Sequence, residues 1–576
     1  MAKRKATAPA TASAGDSPLA PEPATPNPTT KLWLWIAAAV IAALFIVIYA
    51  MRLDRVVGMF QDDAWYVLLA KALATGQGYT LVNSPTSGIL PLYPPAFPFL
   101  LSLVYRLAPQ FPENLWLLKS ISIVAMFVTG VVAFVYCTRY REMPKAVALA
   151  IAAGIVLHPG LAFMATGSVM SECAFTLAQM VAILAVERCA AARDDNRFWL
   201  YALLAAAATS WAFLTRSMAA GLILAALLYL AKERLFKHAA VFAVGVALFA
   251  GSWTLYSRAH APTKEQRAEV NSYIVRPYNE QFWDRVAGNE SAGSVTLGDL
   301  PARFWNNFSS IVGSDTGGVV LPSFFPALNQ GLAERGNDTQ WVVSLLAFAL
   351  IVTGFVVAAR QKLTYAEFAL PLSLAIIIAW PFPPYRFLLP SLPLLLFYLV
   401  LGLKLLLSLH QRFAQTKTEA NPWTGVTVAA GLVVALCLYG NVSYLQRKSA
   451  ETPAQRPRWL RSFAENEAIL KWTNENVPKT DAIATMNPAL VHLYTGNKTT
   501  TFDNPTGNWQ AWNQLGIRYL VYISPTRIAD PDANENKYRV IHRAGGELNL
   551  RVTDFGPTAA RAPWGAGLSP STIRMN

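Results

Sequence analysis

The chain runs to 576 residues, 54% hydrophobic and only 14% charged, where ordinary soluble domains carry about 25% charge, so a soluble globular fold is excluded. Its net charge of +14 does not describe a nucleic-acid surface, because much of the excess Lys and Arg sits in short loops between apolar runs, where it sets membrane topology. The four cysteines, Cys137, Cys173, Cys189 and Cys437, lie in or beside apolar runs with no CxxC spacing, which excludes a disulfide or zinc framework and leaves them as small core residues.

Residues 1–30 open MAKRK and continue as an Ala/Pro/Thr-rich tail, a composition that buries no core and is expected to be disordered. The run that follows, LWLWIAAAVIAALFIVIYAM, is longer than a signal-peptide core and lacks a small-residue cleavage site, so it reads as a retained anchor. Ten further runs near bilayer length follow, at about 114–137, 146–166, 169–187, 198–214, 218–231, 239–256, 341–359, 364–381, 387–408 and 423–443. With the basic tail inside, the inner gaps are TRYREMPK, ERCAAARDDNR, AKERLFKH, ARQKL and HQRFAQTKTE, four of which carry a basic excess. PPAFPFLLSLVYRLAP, from Pro94, is too short to span and is expected to lie at the outer interface.

Three segments are then expected outside: 53–113, 257–340 and 445–576. In the last, WLRSFAENEAILKWTNENV has a helical pattern, and DAIATM, RYLVYIS, YRVIHRA and LNLRVTDF pattern as strands, with the final twenty residues loose. The expected fold is a polytopic α-helical membrane protein of about eleven transmembrane helices. It divides into a tail (1–30), a transmembrane domain (31–444) and a small extracytoplasmic α/β domain (445–576).

On the outer face, FQDDAWYVLLAKALATGQGY places two carboxylates side by side, Asp62 and Asp63, where a short helix begins. Like charges in contact repel, and one of the pair holds its proton more tightly than usual. One aspartate suits a helix cap; two caps are unnecessary, so the other needs a further role. Glu172 (GSVMSECAF), Arg216 (FLTRSMAAG) and Arg386 (WPFPPYRFLLPSLP) fall at the same level, with Lys119 one turn inside its span and His158-Pro159 near the outer end of theirs. An ionisable group within a span costs about 2.5–3.5 kcal/mol on insertion scales and so marks function by default. The plainer alternatives are interfacial anchoring for Arg216, Arg386 and Lys119, capping for Glu172, and a satisfied core histidine for His158. Convergence of acids and bases from separate segments on one face favours a site.

Asp62-Asp63 with Tyr66, Ala70 and Gly76-x-Gly78-Tyr79, then Tyr93-Pro94-Pro95, Ser171-Glu172, Leu214-Thr215-Arg216 and Tyr385-Arg386-Phe387-Leu388-Leu389-Pro390, resemble in order and sidedness the C-type glycosyltransferases. They are most similar to the branch that holds protein O-mannosyltransferases and the lipid A aminoarabinose transferase. The outer segment LKWTNENVPKTDAIATMNPALVHLYTGNKTTTF also looks like a domain that many relatives carry. The resemblance implies inverting transfer of a sugar from a polyprenyl-phosphate donor to a lipid, glycan or protein acceptor on the outer face of a bacterial inner membrane.

Under it Asp62 is the general base, and Asp63 is a cap, orienting partner or metal ligand. Arg216 and Arg386, with Tyr385 and Lys119, bind the donor phosphate. Glu172 orients the acceptor, or joins the aspartates around a divalent cation; carboxylates with water suit Mg or Mn, but these acids lack a chelating spacing and metal use stays open. Trp65, Tyr66 and Tyr93 line the sugar site, and the 257–340 segment, with Tyr273, Tyr278, Phe282 and Trp283, covers it. The rival readings are a flippase of lipid-linked sugars, which places its charges near the midplane, a membrane-anchored binding or assembly protein in which the outer domain does the work, and a ligase that transfers whole lipid-linked polymers.

Overall fold

The computed structural model describes residues 28–86, 88–270, 272–328, 336–413, 421–501, 514–523, 539–544 and 550–554. The disorder expected of the N-terminal tail and the looseness expected of the last twenty residues concern positions outside this set, except that helix already starts at Pro28. Helices α1 (Pro28–Arg52), α2 (Asp62–Ala74), α3 (Ala96–Leu107), α4 (Leu115–Val135), α5 (Lys145–Val156), α6 (Pro159–Thr166), α7 (Glu172–Ala191), α8 (Phe198–Thr215) and α9 (Ala220–Lys232) come first. Next, α10 (Phe236–Val246) runs through a π-helical turn into α11 (Ser252–Ala259).

An excursion of short elements follows: α12 (Lys264–Val270), α13 (Tyr278–Gln281), the hairpin β1 (Asp284–Val286) and β2 (Asn289–Ser294), α14 (Leu300–Ser310) and α15 (Thr316–Val320). The bundle closes with α16 (Asp338–Gln361), α17 (Tyr365–Ala379), the single turn α18 (Tyr385–Leu388), α19 (Leu392–Phe413) and α20 (Pro422–Lys448).

All eleven expected apolar runs are helical. Among the described residues eight helices are long and apolar enough to cross a bilayer, and nine if α5 and α6, bent by 44° at their junction, count as one span. The other two expected spans are α9 and α17, of 13 and 15 residues, shorter than the roughly 20 that a perpendicular crossing needs. Large apolar side chains such as Trp33, Trp35, Ile46, Trp116, Leu204, Leu248, Leu346 and Leu432 are exposed on the bundle, as a lipid-facing belt requires. The short helix expected at the interface is α3, which lies against α2.

The bend explains a cluster of buried polar groups. A broken span frees carbonyls that lipid cannot hydrate, so protein groups must take them. Tyr49 of α1 donates to Val156 O at 3.0 Å and Asn441 of α20 to Leu157 O at 2.7 Å, while Arg52 adds a second donor to Pro159 O, the first carbonyl of α6, at 3.2 Å. Arg52 is fixed in turn by Asn441 Oδ1 at 2.9 Å and by the Tyr444 ring. His158 caps α6: its Nδ1 accepts from the Gly160 and Leu161 amides at 3.2 Å, while Nε2 donates to Val319 O at 2.8 Å. It is a satisfied core histidine. Elsewhere α16 and α19 meet backbone to backbone, because Gly354 and Gly402 carry no Cβ; one on Gly354 would stand 1.8 Å from Tyr398 O.

After α20 come α21 (Arg458–Asn476), β3 (Ala482–Thr485), α22 (Pro488–Thr495), β4 (Thr499–Thr501), β5 (Ile517–Tyr522), β6 (Arg539–Ala544) and β7 (Leu550–Asp554). The sheet order is β4-β3-β5-β7-β6, with β3 parallel to β4 and β5, and β7 antiparallel to β5 and β6. The expected helix and four expected strands are present. Helix α22, strand β4 and the β1–β2 hairpin are additions. The sheet region is seated on the segments that flank α2: Asn487 Nδ2 donates to Gly58 O at 2.9 Å, and the Thr499 amide to Asn83 O at 2.7 Å.

Candidate active site

Four helix ends meet at one level of the bundle. Helices α2, α7 and α18 begin there with Asp62, Glu172 and Tyr385, and Arg216 follows the last residue of α8. Successive spans alternate in direction, so the start of one and the end of its neighbour share a side, and residues far apart in sequence arrive together. Arg386 is the hub. Its Nη2 lies 3.1 Å from Asp62 Oδ2, and Nε and Nη2 both lie 3.1 Å from Glu172 Oε1. Arg216 Nη1 reaches the same Glu172 oxygen at 3.0 Å and Ser171 Oγ at 3.2 Å. The outcome is a row of alternating sign, Asp62, Arg386, Glu172, Arg216. Glu172 is fully buried, a state that a carboxylate sustains only when paired.

The second Asp62 oxygen, Oδ1, accepts from Tyr93 Oη at 2.6 Å and also from Tyr273 Oη; the two phenols lie 3.2 Å apart. Burial, and then the Asp62 charge, push both phenols well above the ordinary tyrosine value, so they remain donors. Tyr66 stacks near Tyr93 and shares a hydrogen bond with Ser171 Oγ at 3.1 Å.

Asp63 has a different environment. Fully buried, it accepts from the amides of Gly58 at 2.8 Å, Phe60 at 3.3 Å and Ala64 at 3.1 Å. Burial pushes its carboxyl up to about 6, with the neighbouring Asp62 adding and the three amides opposing. Instead of capping the helix ahead of it, Asp63 closes the turn behind, where Gly58 holds φ +85° and Gln61 φ 60°. A Cβ on Gly58 would stand 2.5 Å from Leu490 Cδ2 of α22. The sequence left the roles of the two aspartates open; the geometry divides them.

Asp62, its two phenols and the two guanidiniums border a cavity of about 620 Å³. Asp62, Tyr66, Tyr93, Arg216, Tyr385 and Arg386 line it, as expected of a common site. Tyr273, Tyr278 and Gln281 of the excursion form one wall, while Phe213, Ile376, Ile377, Trp380, Phe382 and Phe387 make an apolar one. Phe282 and Trp283 do not border it; Phe282 O instead accepts from Arg303. Arg386 Nη1 and Arg216 Nε and Nη2 have no protein acceptor among the described residues, and so keep N–H donors for a ligand.

Four expected site residues do not border the cavity: Asp63, bound to its three amides, Glu172, paired with the two guanidiniums, Lys119 and Trp65. The Lys119 ammonium donates to Asp54 O and Oδ1, both at 2.9 Å, and to Thr166 O at 2.8 Å. Three protons meet three acceptors and none is left for a phosphate. Trp65 is packed in the core at 2% exposure; a helix that faces a cavity with Asp62 and Tyr66 turns the residue beside Tyr66 inward. Nor do Asp62, Asp63 and Glu172 form a ligand set for Mg or Mn. Asp63 is spent on backbone amides and Glu172 Oε1 on two guanidiniums, and among the described residues no group of three or more His, Cys, Asp or Glu is placed to hold a metal ion. One charged cavity residue went unanticipated. Asp315, in SSIVGSDTGG, carries no local pattern that separates it from any loop aspartate, and only the fold brings it to the wall.

No family model matches the chain, and no curated protein does. Among solved structures, the fold matches ArnT from Cupriavidus metallidurans bound to undecaprenyl phosphate, with a TM-score of 0.54 at 11% identity over 91% of this chain and 98% of that one. It also matches the archaeal oligosaccharyltransferase AglB from Archaeoglobus fulgidus, in complex with an inhibitory peptide and a dolichol-phosphate, with a TM-score of 0.52 at 14% identity over 86% of this chain and 70% of that one. At such identities the likeness is one of fold: this chain has the multi-pass helical membrane architecture of those two proteins, and it covers nearly the full length of ArnT.

Proposed function

We propose that the protein is a membrane glycosyltransferase that transfers a sugar from a polyprenyl-phosphate donor to an acceptor hydroxyl, with inversion at the anomeric carbon. One observation carries the reading: a carboxylate and two guanidiniums with unspent N–H donors border a single cavity, at the end of the bundle where four helix termini meet. A flippase would be expected to hold its charges near the middle of the spans. The two fold neighbours, solved with undecaprenyl phosphate and a dolichol-phosphate, support the donor class.

The lipid phosphate is already a competent leaving group, so the protein has two tasks. Asp62 Oδ2 accepts the proton of the acceptor hydroxyl as its oxygen attacks the anomeric carbon. Arg386 and Arg216 hold the phosphate on which negative charge grows as the glycosidic bond breaks, a stabilisation that matters most in a water-poor site. Tyr93 and Tyr273 fix the carboxylate through Oδ1 and leave Oδ2 toward Arg386 and the cavity. Glu172 holds both guanidiniums in place. Tyr66 and Tyr93 form the polar side of the sugar site and the apolar wall receives the first prenyl units. The C-terminal sheet region and this cavity face the extracytoplasmic side, supported by the basic loops at the other end.

The test is binding of undecaprenyl phosphate to the purified protein in lipid, compared between wild type, Arg216→Ala and Arg386→Ala. Each variant is expected to weaken binding by about 10-fold or more, the cost of one charge-assisted contact. Unchanged affinity in both would remove the phosphate from this cavity.

A further inference from the structure

Asp315 stands in the wall of the same cavity and, among the described residues, has no ionic partner. It ends a π-helical turn, Ile311–Asp315, that continues α14. Turns of this kind insert an extra residue into a helix and are frequent at functional sites. The residue is only 3% exposed. Ser310 Oγ donates to Oδ2 at 2.9 Å and Ser314 Oγ lies 3.4 Å from Oδ1; among the described residues no Lys, Arg or His pairs with it. The other acids of the site are answered: Asp62 by Arg386, and Glu172 by Arg386 and Arg216.

The turn is also placed with care relative to the phosphate-binding side. Gly318 leaves room for the Tyr385 ring, where a Cβ would come within 3.1 Å of it, so the segment that bears Asp315 packs against the residue that precedes Arg386. Burial pushes the Asp315 carboxyl up to about 6, opposed by the two serine hydroxyls, which leaves it mostly an ionised acceptor at neutral pH. A carboxylate in that setting has lone pairs that two hydroxyls do not fill, and the space beside it is the cavity.

We propose that Asp315 is a specificity-determining residue that accepts hydrogen bonds from hydroxyl groups of the donor's sugar ring while Arg216 and Arg386 hold its phosphate. This rests on the glycosyltransferase reading above. Hydrogen bonds from hydroxyls to a carboxylate are charge-assisted and roughly twice as strong as neutral ones. A site built to receive a hydroxyl also rejects the analogue that lacks it.

The experiment uses the full chain in lipid vesicles with polyprenyl-phosphate sugars and their monodeoxy counterparts. It compares kcat/KM for wild type, Asp315→Ala and the near-isosteric Asp315→Asn, with thermal unfolding of each as the check on folding. For the donor that the wild type prefers, kcat/KM is expected to fall about 10–100-fold in Asp315→Ala. One monodeoxy donor, poor for the wild type, is expected to be used equally by wild type and variant, because the contact is already missing. An equal fall for every donor would make Asp315 a structural residue and overturn the proposal, as would wild-type kcat/KM in both variants. If the wild type consumes no donor, the glycosyltransferase reading falls and this inference with it; if it does and Asp315→Asn discriminates as it does, only the inference falls.

Discussion

Asp62 and Asp63 are adjacent and chemically identical, and only their surroundings separate them. Asp62 faces a guanidinium, two phenols and a cavity; Asp63 faces three backbone amides and no ligand space. Asp63→Ala is therefore expected to lower stability by about 1–3 kcal/mol, the cost of stranding buried amide donors, and thermal unfolding measures it. The pH dependence has a definite sign. The folded carboxyl is raised to about 6 while the unfolded one is about 3.9, so the folded state binds the proton more tightly. Its contribution is full below pH ~4 and is lost as pH rises toward ~6. Asp63→Asn should flatten that fall in melting temperature between pH 4 and 6; an unchanged profile would mean that another group causes it. Arg386 is a residue of the other kind, bridging two acids with a fork that a lysine does not have. Arg386→Lys is expected to lose about 10²–10³ in kcat, as removal of a transition-state donor does elsewhere, and a steady-state donor assay reads it.

At the scale of elements, much was legible in advance. Runs of apolar residues and the basic loops between them located all eleven helical segments and the short helix α3, because hydropathy and charge act locally along the chain. The four strands and the helix of the C-terminal region were legible for the same reason. What periodicity did not carry is where a span breaks. His158-Pro159 marks the α5–α6 bend, yet the bend leaves carbonyls that Tyr49 and Asn441 arrive from α1 and α20 to take. Asn441→Leu should accordingly unfold the protein at lower temperature by exposing one of them. Lys119 and Trp65 were misplaced for a similar reason: sequence gives their depth and not the partners they meet. Asp62, Glu172, Arg216, Arg386, Tyr66, Tyr93 and Tyr385 were legible because helix ends at one level are forced together by topology. Asp315 lay beyond that logic, since nothing local fixes how an excursion between α11 and α16 folds back.

At the scale of the whole molecule, the C-terminal sheet region does more than sit on the bundle. Asn487 and Leu490 close over Gly58, whose amide holds Asp63, whose neighbour is Asp62. Gly58→Ala places a Cβ against Leu490 in a backbone conformation that alanine disfavours, and is expected to reduce activity although residue 58 lies outside the cavity lining. In the proposed mechanism one carboxylate of this cavity takes the acceptor's proton while two arginines carry the leaving phosphate. The most direct measurement is release of sugar from a panel of radiolabelled polyprenyl-phosphate donors, with wild type and Asp62→Asn purified in lipid and a membrane extract as acceptor source. The expected result is consumption of one donor by the wild type and a loss of about 10²-fold or more in the variant, with thermal unfolding preserved. Full activity in Asp62→Asn, or no donor consumed by the wild type, would contradict it.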